Sequence, residues 1–155
     1  MSNLYFADFN LWIAQTTQLL REGRWQEIDL IHLIEEVEDL GKSERRGMTS
    51  QLTRLLLHLL KWQYQPQRRS DSWLDSITDA RTQIELALED SPSLRGYLAE
   101  QLEKSYQRAR RHAAQQTGMD ISAFPETCPY ALELALAEDW LPSPSSFGRG
   151  NSEIA

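Results

Sequence analysis

Four carboxylates within five positions form the densest group of chemically active side chains in the sequence: Glu35, Glu36, Glu38 and Asp39. Clustered carboxylates can hold a divalent cation, or one can act as a base while its neighbour keeps a proton. On a helix, Glu35 and Asp39 share a face opposite the apolar positions, and this spacing is typical of a solvated surface. Glu36 lies at the flank of the apolar face, so it is the member of the run that we keep as a candidate site residue.

A second group of polar side chains follows further along the same stretch. Glu44 falls where the apolar period calls for a core residue, and a buried carboxylate must be hydrogen-bonded or paired. Gln51 and His58 follow it at steps of seven residues. These residues either make polar contacts to a neighbouring helix, or Glu36, Glu44 and His58 form a partly buried site in which His58 titrates or binds a metal. No cofactor is evident from the sequence, and a divalent metal is the one that such a site could hold.

The geometry of residues 29–64 decides between these two interpretations. Apolar residues recur there at steps of three or four without a phase break, which favours one long helix. On a straight helix Glu44 and His58 would be ~21 Å apart, and Glu36 and His58 ~33 Å apart, too far to share one ion. The alternative is a helical hairpin with its turn at residues 41–43, Gly-Lys-Ser, which would make the two groups neighbours.

Helical periodicity continues through most of the rest of the chain, and no sustained strand-like alternation occurs. The predicted helices run from after Asp8 to Gly23, from about Asp29 to Tyr64, from Asp71 or Ser72 to near Asp90, from Ser91-Pro92 to Gly118, and from Pro129 onwards. We therefore predict an all-α fold, a single-domain helical bundle of about four longer helices plus a short C-terminal helix, over residues 1–142. The tail, residues 143–155, is rich in Ser, Pro and Gly and is expected to be disordered.

Composition narrows the classes of partner. The chain has 155 residues, 23 acidic against 16 basic side chains and a formal net charge of −7, so nucleic acid is not expected as a partner. No apolar run approaches the ~20 residues that a membrane span requires, so we expect no membrane association. The single Cys128 cannot form an internal disulfide and the N-terminus lacks a secretory signal, which together predict a cytoplasmic protein.

Basic and aromatic side chains are interleaved at the end of the long helical segment: Lys61, Trp62, Tyr64, Arg68 and Arg69. Such a patch can stack on nucleic-acid bases or bind an acidic partner. Alternatively, the rings belong to the core and the cations cover its edge, which is the arrangement we favour. The patch remains a candidate binding surface.

Leucines make the second half of the long helical segment apolar nearly all round, and Leu57 lies opposite the main apolar stripe. A helix with such a surface is either central in its fold or buried in an assembly. Because about four long helices can hardly enclose it, we expect a symmetric homodimer, or another protein partner, to supply the missing cover. Leu56, Leu57 and Leu60 are therefore the candidate interface residues.

Several segments resemble a known bacterial family, the domain of unknown function 29. The resemblance lies in residues 29–44 (DLIHLIEEVEDLGKSE), 59–66 (LLKWQYQP) and 72–73 (SW), with shorter matches over roughly residues 5–142. It implies a small, mostly helical bacterial protein. It implies no activity, and no catalytic residue is carried over to this chain.

These features predict a helical protein-interaction module that self-associates, while its specific function stays unknown. The alternative is a metal-dependent or acid–base enzyme with a carboxylate and histidine site in the bundle, and the sequence does not decide whether the protein is an enzyme. Nucleic-acid binding through Lys61, Arg68 and Arg69 ranks last.

Overall fold

A computed structural model describes residues 4–145 of the chain. Within these residues the fold is all-α, as predicted, and no strand occurs. The helices are α1 (Leu4–Ala7), α2 (Phe9–Arg21), α3 (Leu30–Tyr64), α4 (Asp71–Asp90), α5 (Leu94–Thr117) and α6 (Leu132–Leu136). Short 3₁₀ turns lie at Trp25–Glu27, Pro66–Arg68 and Ile121–Ala123. In this part of the chain α2 to α5 are long and α6 is short, which confirms the predicted helical bundle.

The described residues divide into two compact units, with the boundary between Glu44 and Arg45. In the first unit, the side chain of Asp8 caps α2 by accepting a hydrogen bond from the N–H of Leu11 at 3.0 Å. Gly23 follows α2 with a positive φ of 68°, which a glycine adopts without strain. Both predicted helix signals are confirmed, whereas the single turn of α1 was not predicted.

Helix α3 is continuous over 35 residues. The predicted long helix is thus confirmed, and the alternative hairpin at residues 41–43 is wrong. Burial changes along the helix, because the first buried residue of α3 is Met48 and most of the apolar residues that follow are buried as well. The apolar stripe of the sequence is therefore unbroken, but only its second part lies in a core.

The second unit has one hydrophobic core, formed by the later part of α3 with α4, α5, α6 and the loop before α6. The residues enclosed completely are Leu52, Leu55, Leu56, Leu59, Leu60, Ile77, Ala80, Leu98, Tyr106, Ala109, Ala113 and Ala135. Full burial of one leucine side chain stabilises a fold by roughly 1.5–3 kcal/mol. The leucine-rich part of α3 is therefore the centre of this unit.

The segment at and after the end of α6 is held against the rest of the second unit by hydrogen bonds to its backbone. The buried guanidinium of Arg81 donates hydrogen bonds to the carbonyl oxygens of Ala135 at 2.8 Å, Glu138 at 3.2 Å and Trp140 at 2.7 Å. Further along, the N–H of residue 145 donates to the carbonyl of residue 63 at 3.0 Å. Residues 143–145 of the predicted tail are held in this way, and residues 146–155 lie outside the described residues.

Three helix starts differ from the prediction. Helix α4 is capped by Ser70 instead of Asp71 or Ser72, α5 begins at Leu94 instead of Pro92, and α6 begins at Leu132 instead of Pro129. The hydroxyl of Ser70 accepts a hydrogen bond from the N–H of Trp73 at 3.3 Å. Before α5, the N–H of Leu94 donates to the carbonyl of Ser91 at 3.0 Å, so a turn precedes the helix. Residues suited to capping stand side by side before α4 and α5, and sequence alone does not select one. Before α6 the N-cap is Ala131, whose side chain has no capping group.

Candidate functional site

His32, on α3, lies at the centre of a small cluster in the first unit. The carboxylate of Asp29 accepts a hydrogen bond from Nδ1 of His32, and this bond holds the pKa of Asp29 below its usual value. The imidazole lies flat on the ring of Tyr5, with the ring centroids 4.0 Å apart and the planes 12° apart. Phe6 meets the imidazole edge-on, with the centroids 5.2 Å apart. A carboxylate and two aromatic rings therefore fix the orientation of His32.

Glu36 and Tyr5 form a second pair beneath His32. The hydroxyl of Tyr5 donates to Oε1 of Glu36 at 2.5 Å, and this bond raises the pKa of Tyr5 to about 12. Tyr5 is therefore a neutral donor at physiological pH. Its ring also packs edge-on against Trp12 and Phe9, with centroids 5.0 and 5.7 Å apart. The sequence-predicted candidate Glu36 thus positions the ring on which His32 is stacked.

A cavity of about 450 Å³ opens beside this cluster, and we call it the His32 cavity. It is lined by Trp12, Gln15, Thr16, Leu19, Glu27, Ile28, Asp29 and His32. Both carboxylates in the lining are already paired, Asp29 with His32 and Glu27 with Arg24. Among the described residues that line the cavity, His32 is the single group that could become a cation. The lining therefore suits a neutral or cationic small molecule better than an anion.

A second concave surface lies between α2 and the first part of α3, and we call it the α2–α3 groove. It encloses about 330 Å³ and is lined by Phe9, Trp12, Ile13, Thr16, Thr17, Leu20, Leu33, Glu36, Val37 and Leu40. The lining is almost entirely apolar, and its one carboxylate, Glu36, accepts the hydrogen bond from Tyr5. Val37 is 59% exposed and Leu40 is 72% exposed. The groove therefore presents apolar side chains that the single chain leaves in water.

The predicted site of Glu36, Glu44 and His58 is not assembled. It required the chain to fold back at residues 41–43, and α3 runs through these residues without a break. Glu44, expected at a core position, is exposed, because burial along α3 begins only at Met48. In the part of the chain from residue 4 to residue 145, no group of three or more His, Cys, Asp or Glu side chains is placed to hold a metal ion. The three residues proposed as a divalent-metal site are therefore not brought together, and the metal itself stays a prediction.

His58 has a structural environment. Its Nδ1 hydrogen-bonds to the carbonyl of Arg54 at 2.7 Å, within the same helix, and burial of the half-buried ring lowers the pKa of His58 below its usual value. Arg54 in turn reaches helix α4, where it pairs with the carboxylate of Asp79 at 2.5 Å. Of this stretch only Arg54 reaches a neighbouring helix, whereas Glu44 is exposed and Oε1 of Gln51 is buried without a hydrogen-bond partner among the described residues. The first interpretation, in which Glu44, Gln51 and His58 make polar contacts to a neighbouring helix, is therefore not confirmed.

The predicted interface leucines are core residues. Leu56 and Leu60 are fully buried and Leu57 is 7% exposed within the single chain. Other parts of the second unit, namely α4, α5, α6 and the loop before α6, pack against the apolar side chains of this part of α3. The expectation that the helices of one chain are too few to cover these leucines is therefore wrong. The interface assignment of Leu56, Leu57 and Leu60 is therefore corrected: these residues need no partner to cover them.

The cations of the predicted basic and aromatic patch lie over aromatic rings of the second unit. The ammonium of Lys61 is 4.7 Å from the ring centroid of Trp73, and the guanidinium of Arg69 is 4.6 Å from that of Trp62. Nε of Arg69 also donates to the carbonyl of Trp62 at 2.9 Å. Partial burial lowers the pKa of Lys61. These basic groups therefore cover the edge of the core, as in the favoured interpretation.

The remaining members of the patch are divided between core and solvent. Tyr64 packs against the core and meets the buried ring of Phe124 edge-on, with the centroids 5.3 Å apart. Arg68 is exposed on a 3₁₀ turn. The structure therefore leaves Arg68 as the exposed cation of the patch.

Sequence reasoning missed three members of the His32 cluster, namely Tyr5, Asp29 and His32 themselves. A signal for one pair was present, because Asp29 and His32 lie three residues apart, a spacing that lets side chains meet at the start of a helix. Tyr5 and Glu36 are 31 positions apart. Only the tertiary fold of the first unit brings that pair together.

The protein was compared with known proteins. A family model described as "Domain of unknown function DUF29" matches residues 4–141, which confirms the resemblance seen in the sequence. No curated protein and no solved structure matches the chain. In the described part of the chain, none of the helices combines the length and apolarity needed to cross a membrane.

Proposed function

The chain belongs to the family called domain of unknown function DUF29, and we propose that it is a helical interaction module that self-associates through the α2–α3 groove. One observation carries the proposal: the first part of the apolar stripe of α3 is exposed. Leu30, Ile34, Val37 and Leu40 are each about half exposed or more, whereas the stripe is buried from Met48 onwards. An apolar surface of this kind marks a site of association.

The size of the surface supports a stable contact. Phe9, Ile13 and Leu20 of α2 extend the exposed stripe of α3. With each of these side chains and Val37 and Leu40 about half exposed, the groove presents an apolar area on the order of 450 Å². This is close to the apolar share, somewhat over half, of the ~800 Å² that one partner contributes to a standard interface.

A second copy of the chain is the partner that this surface fits. In a two-fold arrangement each copy presents the same groove, so one apolar face covers another. By helical periodicity, Glu35, Glu38 and Lys42 lie on the other side of α3 from Leu33, Val37 and Leu40. Association through the groove would therefore leave these charges in water and avoid the cost of burying them.

The proposed location is the cytoplasm. Cys128 is a free, half-buried thiol, and its Sγ–H donates to the carbonyl of Tyr130 at 3.4 Å. A free thiol persists most readily in a reducing compartment.

Light scattering after size-exclusion chromatography tests the self-association. We expect a mass of about twice 17.9 kDa for the wild-type chain. Leu40→Glu is expected to give the monomer mass with unchanged helical circular dichroism, because the exposed side chain contributes to the groove and not to the core. Ile31→Glu is the matched control, since Ile31 is equally exposed at 73% and lies on the opposite side of α3.

Two results would contradict the proposal. A wild-type chain that stays monomeric at high concentration would exclude the homodimer, and dissociation by Ile31→Glu but not by Leu40→Glu would place the contact on the other face. The variant Leu57→Glu distinguishes a defect in the core from a defect in this surface. Leu57 is buried, so the variant is expected to unfold and not to dissociate as a folded monomer.

A further inference from the structure

Two hydrogen-bonded pairs are stacked on each other in the first unit, and only Glu36 of the second pair also lines the α2–α3 groove. Asp29 accepts from His32, and Glu36 accepts from Tyr5. The rings of His32 and Tyr5 are in face-to-face contact at 4.0 Å. An acidic side chain thus anchors each ring, and the ring contact fixes the two pairs relative to each other.

The hydrogen bond to Asp29 defines which nitrogen of His32 is reactive. An ionised carboxylate can only accept, so Nδ1 of the neutral imidazole carries the proton and Nε2 carries the lone pair. No protein group between residues 4 and 145 hydrogen-bonds to Nε2 of His32. Nε2 of His32 is therefore a hydrogen-bond acceptor to which no group in the described part of the chain donates.

His58 provides the contrast within the same helix. Its Nδ1 is bonded to a backbone carbonyl rather than to a carboxylate, and its ring is half-buried with no cavity beside it among the described pockets. His32 has the carboxylate, the stacked ring and the cavity together.

We propose that Asp29, His32 and the His32 cavity form a general-base site for a small, uncharged or cationic molecule that carries an O–H or N–H group. Nε2 of His32 accepts the hydrogen bond from that group, and Asp29 is the positioning residue that holds Nδ1–H. The apolar walls, Trp12, Leu19 and Ile28, take the hydrocarbon part of the ligand. The paired carboxylates and the absence of a fixed cation among the lining residues described above disfavour an anion.

The reactivity of Nε2 is tested with diethyl pyrocarbonate. Nε2 bonds to a carbonyl carbon of the reagent and the C–O bond to the leaving ethyl carbonate breaks. The acylated ring releases the proton on Nδ1, and the ethyl carbonate takes up a proton and decays to CO₂ and ethanol. Mass spectrometry then follows each of the three histidines of the chain at pH 7. We expect His32 to react fastest and Asp29→Asn to slow it by about tenfold, while Glu38→Gln, the same acid-to-amide change at an exposed position of α3 outside the cavity, leaves the rate unchanged.

Nitrogen-15 NMR of the histidine rings shows which ring nitrogen of His32 carries the proton. If Asp29 only stabilised the fold, replacing it would leave this tautomer unchanged. The wild-type His32 ring is expected in the Nδ1–H tautomer, and Asp29→Asn is expected to lose that preference with helical circular dichroism unchanged. Equal tautomer populations in both proteins, or a His32 no more reactive than the exposed His112, would overturn the assignment of the base.

The ligand class is tested in the same spectra with p-cresol, which joins an O–H to an apolar ring, and with toluene as the matched control without the hydroxyl. We expect p-cresol to shift Nε2 of His32 and to slow its acylation, and toluene to do neither. An equal response to both compounds, or no response to p-cresol, would overturn the proposed binding of a proton donor. The same measurement is repeated on the Leu40→Glu variant, which is expected to be a folded monomer. A failure of self-association and a failure of this site are therefore distinguishable.

Discussion

The guanidinium of Arg81, on helix α4, donates a hydrogen bond to the backbone carbonyl of Trp140 at 2.7 Å. Two further carbonyls, those of Ala135 and Glu138, accept from the same side chain. Arg81 is 8% exposed and thus buried. One side chain therefore satisfies three carbonyls at the end of α6 and beyond, where the chain has no regular structure to do so.

Replacing this side chain should destabilise the second unit. Arg81→Met keeps most of the apolar stem but leaves the carbonyls without their donor, and we expect a loss of about 2–4 kcal/mol in the free energy of unfolding. Urea denaturation measures it. Arg81 and Arg95 both line a cavity of about 430 Å³ in the second unit. Arg95→Met is the control, because Arg95 is exposed and its loss should cost little. Equal effects of the two substitutions would contradict the role of Arg81.

Two glycines should respond to alanine in opposite directions. Gly118 follows α5 with a φ of 70°, where an alanine is strained, so Gly118→Ala should destabilise by about 1 kcal/mol. Gly47 lies inside α3, with nothing within 4 Å of an added Cβ. Gly47→Ala should therefore stabilise by about 1 kcal/mol. Thermal denaturation of both variants checks the signs, and a shared sign would be the contrary result.

Much of the fold could be predicted from the sequence because its signals are local and repeated. The steps of three and four in the apolar positions of α3 continue across Gly41, and the helix continues there too. Glu44 shows the limit of the same reasoning. The period placed it on the core side, but periodicity indicates only the direction of a side chain and not whether another element covers that side. Burial on α3 begins at Met48, so Glu44 is exposed.

The candidate sites were harder to predict, because they depend on contacts between elements. Glu36 was correctly singled out as lying on the flank of the apolar face, but its partner Tyr5 belongs to α1, a turn that the sequence did not reveal. Leu57 shows the reverse case: its position opposite the main stripe suggested an interface, and the surrounding helices bury it. The apolar surface that the single chain leaves exposed is the first part of the stripe, around Leu40, and not the part around Leu57.

His58 should make the stability of the fold depend on pH. Burial lowers the pKa of His58 from its ordinary value of 6.5, and the bond to the carbonyl of Arg54 opposes this shift only in part. Below pH 6.5 the unfolded chain therefore binds a proton before the folded chain does, and stability falls until the pH passes the lowered folded pKa. His58→Gln should flatten the decrease in melting temperature between pH 7.5 and pH 5, a window that follows from the ordinary histidine pKa of about 6.5. The exposed His112→Gln should keep it, and the same slope in both variants would contradict the assignment.

The thiol of Cys128 should react slowly while the protein is folded. Burial raises the pKa of Cys128 to about 11 from an ordinary value of 9.0, and the S–H group donates to the carbonyl of Tyr130, a contact that only the protonated thiol can make. Because the thiolate is the reactive form, a shift of this size lowers its population at pH 8 by about a hundredfold. Reaction with a disulfide reagent, followed by absorbance, should therefore be about a hundredfold slower in buffer than in concentrated urea. Cys128→Ser removes the one cysteine of the chain and sets the baseline. Equal rates in buffer and in urea would show that the thiol is freely accessible in the folded protein and would contradict its burial beside Tyr130.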